Sequence, residues 1–214
     1  MSSNKYGYIP KAPTQSWGNN DGVFSVNDVR DLIIDGKWTT FGQLELIQTQ
    51  TVSGVSVVNF TSIEQAKYNV HLLTVNDYQP ATDNAILSYR LYESGTLETA
   101  SVYQSNWQEY YGTSTFDEYR NTAYSRVRFI ENTGNDTSES GNAYHYFYNL
   151  GNGYTYSSSS GMTIGINTDG NKIGGFGGGA LPQASEVDGI QLGTYDVSSN
   201  FDLTASLYGV KEYS

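Results

Sequence analysis

The stretch QLELIQTQ, at positions 43–50, decides the fold class of this chain. Leu44 and Leu46 alternate with Glu45 and Ile47, and a period of two residues is typical of a β-strand. The stretch GVSVVNF, at positions 54–60, has similar strand character, and a turn is expected between the two over 51–54. The chain therefore enters β-structure from about residue 42 onward.

Similar strand patterns recur to the carboxyl end of the chain. They lie at 68–75, 86–92, 97–104, 123–130, 143–150, 154–166, 187–195 and 201–210. Clusters of Gly, Asn and Asp separate them, including Glu93-Ser94-Gly95 and 168–171, as expected for turns. The composition agrees, with 19 Tyr and 23 Gly. About nine or ten short strands predict an all-β fold, a β-sandwich of jelly-roll type.

The first forty residues follow a different pattern. Pro10 and Pro13 favour an extended arm over residues 1–20. Residues 25–36 predict one short helix, with Ser25 as its N-cap and with Val26, Val29, Leu32 and Ile33 on one apolar face. A helix of about nine residues is marginal alone, so it needs a surface to pack on. We therefore divide the chain into an anchoring segment, 1–41, and a sandwich domain, 42–214.

Charge and composition exclude several classes of function. The 214 residues include 11 basic and 22 acidic side chains, a net charge of −11, and no cysteine. The few basic residues do not cluster, so no nucleic-acid partner is expected. The amino end lacks the apolar core of a signal peptide, and no apolar run approaches the length of a membrane span, so membrane insertion is not expected. Disulfides and sulfur-ligated zinc are excluded.

The run GFGGGA, at positions 175–180, matches the spacing of a dinucleotide-binding loop. Such a loop requires a helix after the glycines, whereas Leu181 and Pro182 follow here. The glycines are therefore interpreted as a β-bulge or loop where the backbone passes close to a neighbour. No cofactor is expected.

Other patterns that could support chemistry are weak. Two carboxylates among Glu109, Asp117 and Glu118 could act as a glycosidase pair, although neighbouring carboxylates are common in so acidic a chain. His71 and His145 lie among apolar and aromatic residues within strands and are interpreted as structural or surface residues without a catalytic role. The stretch 167–171 resembles the start of a calcium loop but lacks the later Glu ligand, so we predict a plain turn. No catalytic residue and no metal site are predicted.

Aromatic side chains are the stronger signal. A loop is predicted over 107–120, with five aromatic residues that could either contact a partner or a glycan or belong to the sandwich core: Trp107, Tyr110, Tyr111, Phe116 and Tyr119. In the strand 143–150, Tyr144, Tyr146 and Tyr148 are expected on one face and Phe147 on the other.

Several stretches together resemble small structural proteins of tailed bacteriophages, particularly those of aquatic bacteria. They are 22–25, 37–38, 41–56, 68–71, 187–192, 199–201 and 205–211. The resemblance implies a non-enzymatic virion protein with a jelly-roll domain, either a tail fibre or appendage or a head fibre or decoration component. It also implies synthesis in the bacterial cytoplasm followed by assembly into the particle.

This reading gives specific expectations about partners. The anchoring segment is expected to contact other virion proteins, of capsid or tail, through Tyr8, Pro10, Trp17, Val23, Phe24, Val29, Leu32, Ile33 and Trp38. The protein is expected to form a homo-oligomer, which would be a trimer in a fibre. The alternatives are a module that binds host glycans through Trp107, Tyr110 and Tyr111, and a polysaccharide depolymerase that uses Asp117 or Glu118.

Overall fold

The computed structural model describes residues 26–34, 43–112, 116–195 and 198–212. The chain separates into two units, Met1–Gln43 and Leu44–Ser214. In the first unit, helix α1 spans Val26–Ile34, which confirms the predicted helix within its described bounds. The predicted extended arm lies outside the described residues.

The second unit is built from antiparallel strands. Thirteen are present in the described residues: β1 (Leu44–Val55), β2 (Val57–Phe60), β3 (Val70–Pro80), β4 (Ala85–Glu93), β5 (Thr96–Leu97), β6 (Tyr103–Tyr111), β7 (Phe116–Tyr124), β8 (Val127–Thr133), β9 (Gly141–Tyr148), β10 (Ser157–Ile166), β11 (Lys172–Leu181), β12 (Val187–Thr194) and β13 (Phe201–Val210). The predicted number of strands was too low because no strand was predicted for β7 or β11, so the β6–β7 and β10–β11 hairpins were missed.

The strands form two sheets, and their order is that of a jelly roll. The larger sheet has the order β1-β13-β3-β9-β10-β11-β6-β7, and the smaller has β2-β12-β4, with β8 and β5 both paired to β4. Eight of these strands, lettered B to I in chain order, are β1, β2, β3, β4, β8, β9, β12 and β13. They give the two four-stranded layers B-I-D-G and C-H-E-F of a jelly roll. The predicted fold class is confirmed.

Two insertions widen the larger sheet beyond this frame. Strands β5–β7 are inserted between β4 and β8, and strands β10–β11 are inserted between β9 and β12. Four of the inserted strands continue the sheet past β9 in the order β10-β11-β6-β7. They have no counterpart of equal width in the smaller sheet, so much of the surface they add faces solvent.

The core lies between the two sheets and follows from the alternation of the strands. Leu73 and Val75 of β3 and Phe147 of β9 point inward, where they meet Leu87 of β4 and Ile190 of β12. Burial of such side chains drives the pairing of the layers, at roughly 25 cal/mol per Å² of apolar surface.

Strand β1 corrects the predicted turn at 51–54. It continues through these residues to Val55, and its register with β13 shifts between Val52 and Val55. Gly54 there adopts φ +68°, and its amide donates to Asp202 Oδ1 at 2.7 Å. A β-bulge therefore replaces the expected turn. Strand β13 continues to pair with β1 on both sides of the bulge, and its Asp202 accepts the hydrogen bond of the Gly54 amide.

Candidate functional site

The outer face of the larger sheet carries a regular array of side chains across five strands, β9, β10, β11, β6 and β7. Alternate residues of each strand point away from the core, and antiparallel pairing aligns them in rows that cross the strands. Two neighbouring rows define the candidate site.

The first row, which we call the ridge row, is the more prominent. Pairing of Tyr144 with Met162, of Met162 with Phe176, of Phe176 with Gln108 and of Gln108 with Glu118 aligns its five members. Tyr144, Met162 and Phe176 keep 41%, 43% and 46% of their surface exposed. Three large apolar side chains in a line on a solvent-facing sheet are unusual, since such surface is normally buried.

In the second row, which we call the floor row, the central side chains project less far from the sheet than those of the ridge row. The same pairings align Tyr146, Ser160, Gly178, Asn106 and Arg120. Its central members are small, whereas Tyr146 and Arg120 stand at its two ends.

Between the two rows runs a depression that we call the cross-strand channel. One half, of about 590 Å³, is lined by Tyr144, Tyr146 and Met162 among others, and the other, of about 350 Å³, by Gln108, Glu118 and Arg120. The two halves meet at Phe176, Gly177 and Asn106, which line both. A further depression of about 610 Å³ adjoins them at Asn106 and Arg120, with Gln104, Asn121 and Thr122 in its wall.

The glycine run forms the middle of this site, which corrects the interpretation of it as a bulge or loop. Residues 175–180 lie within β11, whose register with β10 and β6 is continuous. The expected close approach is present. A Cβ at Gly175 would lie 2.4 Å from Trp107 Nε1, and a Cβ at Gly177 would lie 2.6 Å from Trp107 Cε3. The glycines therefore make room for an indole that packs flat beneath β11.

On the outer face, Gly174 has the same role for a different ring. A Cβ at Gly174 would lie 2.4 Å from the Tyr110 hydroxyl oxygen, so the tyrosine ring covers that glycine. Lys172 Nζ lies 5.6 Å from the centre of the Tyr110 ring, within the range of a cation–π contact.

A buried ionic cluster lies on the inner side of the same strands. Arg128 Nη1 donates to Glu131 Oε2 at 2.9 Å and to Glu109 Oε1 at 3.3 Å, and the Tyr111 hydroxyl donates to Glu109 Oε2 at 2.9 Å. Both carboxylates are buried. Burial raises the pKa of Glu131 well above its usual value of 4.5, and the neighbouring Glu109 adds to the effect.

A bulge in β8 creates this cluster. Consecutive residues Leu87 and Ser88 of β4 pair with Ile130 and Arg128, so β8 carries one extra residue there. An extra residue reverses the alternation of the strand, which turns Glu131 to the same side as Arg128. Because both carboxylates are buried, the cluster belongs to the interior of the sandwich and is not exposed to a ligand on the outer face.

The loop conformation predicted over 107–120 is wrong. This stretch is the β6–β7 hairpin, apart from 113–115, which lie outside the described residues. Because alternate residues face opposite sides, the hairpin separates the five aromatic residues that were grouped together. Tyr110 and Phe116 lie on the outer face with ring centres 6.4 Å apart. Trp107, Tyr111 and Tyr119 are directed inward, and Trp107 is buried.

The structure also tests the predicted directions of the β9 aromatic residues and the predicted carboxylate pair. Tyr144, Tyr146 and Tyr148 share the outer face of β9, and Phe147 is buried, as predicted. Asp117 pairs with the inward-facing Glu109, so it points away from its neighbour Glu118 on the outer face, and the two cannot flank one glycosidic bond.

Both histidines lie within strands, as predicted, and both are buried, which favours the structural over the surface alternative. The stretch 167–171 is a turn, as predicted, in which the Asn167 side chain accepts from the amides of Asp169 and Asn171.

The anchoring residues are only partly described. Tyr8, Pro10, Trp17, Val23, Phe24 and Trp38 lie outside the described residues. Val29, Leu32 and Ile33 lie in α1, where Val29 is half-buried, Ile33 is exposed, and the side chain of Leu32 is outside the description.

Sequence reasoning missed Phe176, Met162 and Asn106. The signal for Phe176 was present, since it is the one aromatic residue inside the glycine run. Met162 and Asn106 carry no local signal, because only the pairing of β10, β11 and β6 brings them beside Phe176.

In residues 26–34, 43–112, 116–195 and 198–212, no helix has the length and apolar character needed to span a bilayer. Over the same ranges, no three acidic or histidine side chains are arranged to hold a metal ion.

No family model matches the chain, and no curated protein or solved structure is significantly similar to it.

Proposed function

We propose that this chain is a non-enzymatic recognition protein that binds a saccharide in the cross-strand channel. The observation that carries the proposal is the composition of the channel. Exposed apolar side chains of the ridge row stand beside the amide of Asn106, the hydroxyl of Ser160 and the guanidinium of Arg120.

This combination suits a sugar better than it suits a purely apolar ligand. The C–H face of a pyranose ring is apolar and packs on an aromatic ring, while its hydroxyls need hydrogen-bond partners around the rim. Asn106, Gln108 and Ser160 offer both donors and acceptors, which match hydroxyl groups in either role. The channel presents both kinds of group within one depression.

The placement of the carboxylates supports a binding role without catalysis. Hydrolysis of a glycosidic bond requires two carboxyl groups that face the same bond. Glu118 lines the channel, but Asp117 faces inward, and Glu109 and Glu131 are buried below the sheet.

A glycan array probed with the purified chain tests the proposal. We expect retention on a subset of glycans, and we expect Phe176→Ala to weaken it because the central platform of the channel is lost. The matched control is Tyr154→Ala, which removes another aromatic ring, 95% exposed, from the loop between β9 and β10. Failure of the wild-type chain to bind any glycan, or equal binding by the Phe176 variant, would contradict the proposal.

A second candidate function, that of a phage virion component, is favoured by helix α1. Val26, Ile33 and Ile34 on this nine-residue helix are 86%, 58% and 73% exposed. A helix of this length is marginal alone and gains stability by packing its apolar side chains on another surface. A capsid or tail protein, with this chain as a homo-oligomeric attachment, would supply that surface.

Particle assembly tests this second candidate. Deletion of residues 1–41 is expected to leave a folded sandwich, by circular dichroism, that no longer enters particles. The double variant Ile33→Ser, Ile34→Ser is expected to reduce incorporation, whereas Arg30→Ala on the same helix is the control, since its ion pair with Asp31 is exposed. Normal incorporation of the deletion variant would refute the virion role of this segment.

A further inference from the structure

We infer that the ligand of the cross-strand channel is an extended, uncharged polysaccharide chain that crosses the strands and covers about four sugar rings. The inference depends on the proposed saccharide binding and specifies the ligand and its orientation.

The direction follows from the pairing of the strands. Every member of the ridge row is the register partner of the next, and the same holds for the floor row, so the channel between them runs across the strands. Neighbouring strands lie about 4.8 Å apart, so the four steps from β9 to β7 give a length of roughly 19 Å. A single sugar would fill only a fraction of this length, whereas a short extended chain would fill it.

The spacing of the aromatic platforms agrees with such a chain. Tyr144 and Phe176 lie in one row, two strands apart, with Met162 between them. Two strand spacings are about 9.6 Å. Alternate rings of an extended β-linked pyranose chain recur at nearly this distance, so the two side chains can each support one of two alternate sugars.

The backbone of the sheet prevents a large side chain at the centre of the floor row. Gly178 has no side chain, and a Cβ at that position would lie 2.0 Å from the carbonyl oxygen of Ser159. A larger residue is therefore excluded there by the backbone of β10. The ridge row and the floor row are two residues apart along each strand, roughly 6.8 Å, which leaves room for the edge of a sugar ring.

Charge indicates an uncharged ligand. The protein carries a net charge of −11, so it repels acidic polymers at long range. Among the described residues that line the channel, Arg120 is the one cation, and Glu118 stands near it on the same strand and the same face. Local charge is therefore balanced, and a chain of uronic acids or sulfated sugars would find no cluster of cations to offset its own charge.

Isothermal titration with cello-, xylo- and manno-oligosaccharides of one to six rings tests the inference. For at least one series, we expect affinity to rise with each ring up to about four rings and then to level off. Phe176→Ala should weaken binding of every length, whereas Tyr144→Ala, at the end of the row, should weaken only chains of about three rings or more. Loss of one stacking platform should reduce affinity roughly threefold to tenfold. Tyr154→Ala should bind as the wild type does.

The possible outcomes distinguish failure of this inference from failure of the proposed saccharide binding. Binding of a single sugar as tightly as of four would refute the extended chain and leave saccharide binding intact. Preference for uronic-acid or sulfated chains over all three neutral series would refute the uncharged ligand. Absence of binding to any saccharide would refute the proposed function itself.

Discussion

The imidazole of His145 lies parallel to the indole of Trp107, with ring centres 5.6 Å apart and an angle of 6° between the planes. The ring of Phe129 also stacks on His145, at 4.3 Å. His145 follows Tyr144 and precedes Tyr146 in β9, so this buried stack lies directly beneath one end of the channel. Rigid packing below the sheet therefore supports the side chains that are exposed above it.

Burial in this stack lowers the pKa of His145 from 6.5 to about 3, because charge is disfavoured away from water. A histidine with a lowered folded-state pKa contributes stability above its unfolded pKa and loses it as pH falls. Between pH 7 and pH 4.5 we expect a loss of about 2 to 3 kcal/mol in the free energy of unfolding from this residue.

Urea denaturation of the wild type and of His145→Leu at both pH values measures this loss. The variant lacks the titrating ring, so its stability should fall less between pH 7 and pH 4.5, whatever its stability at pH 7. His71, also buried with a lowered pKa, remains in both proteins and contributes to the residual dependence, together with acidic residues such as Glu131. Equal losses in the two proteins would show that His145 is not held neutral by the fold.

Glu131 has the opposite dependence on pH. Its raised pKa means that the folded state binds the proton more tightly than the unfolded state, whose pKa is near 4.5. Its contribution to stability is full below pH 4.5 and falls as pH rises toward the folded-state pKa. Glu131→Gln mimics the protonated acid, so we expect the variant to gain stability relative to the wild type as pH rises from 4 to 8.

Melting temperatures across that pH range check the prediction, with Glu118→Gln as the control because its side chain is exposed on the outer face. The control should follow the wild type closely. A Glu131 variant whose melting temperature runs parallel to that of the wild type would contradict the prediction.

The glycines of β11 should not tolerate even a methyl group. A Cβ at Gly175 would lie 2.4 Å from Trp107 Nε1 and 2.9 Å from the carbonyl oxygen of Gln108. We expect Gly175→Ala to lower the free energy of unfolding by about 1 to 3 kcal/mol through overpacking. In Gly153→Ala, the nearest atom to the added Cβ is 3.8 Å away, so this loop variant should be close to neutral. Similar denaturation midpoints for the two variants would refute the packing role of the glycines.

The β4–β5 hairpin offers a stabilising change. Ser94 and Gly95 form its two-residue turn with φ of 49° and 78°, which is the geometry of a type I′ turn. Asparagine adopts positive φ more readily than serine, so Ser94→Asn should raise stability by about 0.5 kcal/mol. Ser94→Val should lower it, since a β-branched residue is strained there. Thermal melts of the two variants should bracket that of the wild type.

The sequence predicted those features that depend on neighbouring residues. The alternation that begins at Leu44 marks β1, and Glu93-Ser94-Gly95 marks a turn, because side-chain direction and turn geometry are set within a few residues. The alternation of Tyr144, Tyr146 and Tyr148 correctly placed them on one face for the same reason.

The glycine strand shows where local reasoning fails. Glycine has low strand propensity, and the run 175–180 therefore predicts a β-bulge or loop. Strand β11 forms because β10 and β6 bond to it on both sides and because Trp107 fills the space the glycines leave below it. Tertiary contacts override the propensity of the segment.

The sequence by itself determined the sandwich, its short helix and the alternation of its strands, since these depend on periods of two and 3.6 residues along the chain. Tertiary structure alone decided the channel. Phe176, Met162 and Asn106 come from three strands that are distant in the chain, and they meet because the hydrogen-bonded register of β10, β11 and β6 fixes which residues lie side by side.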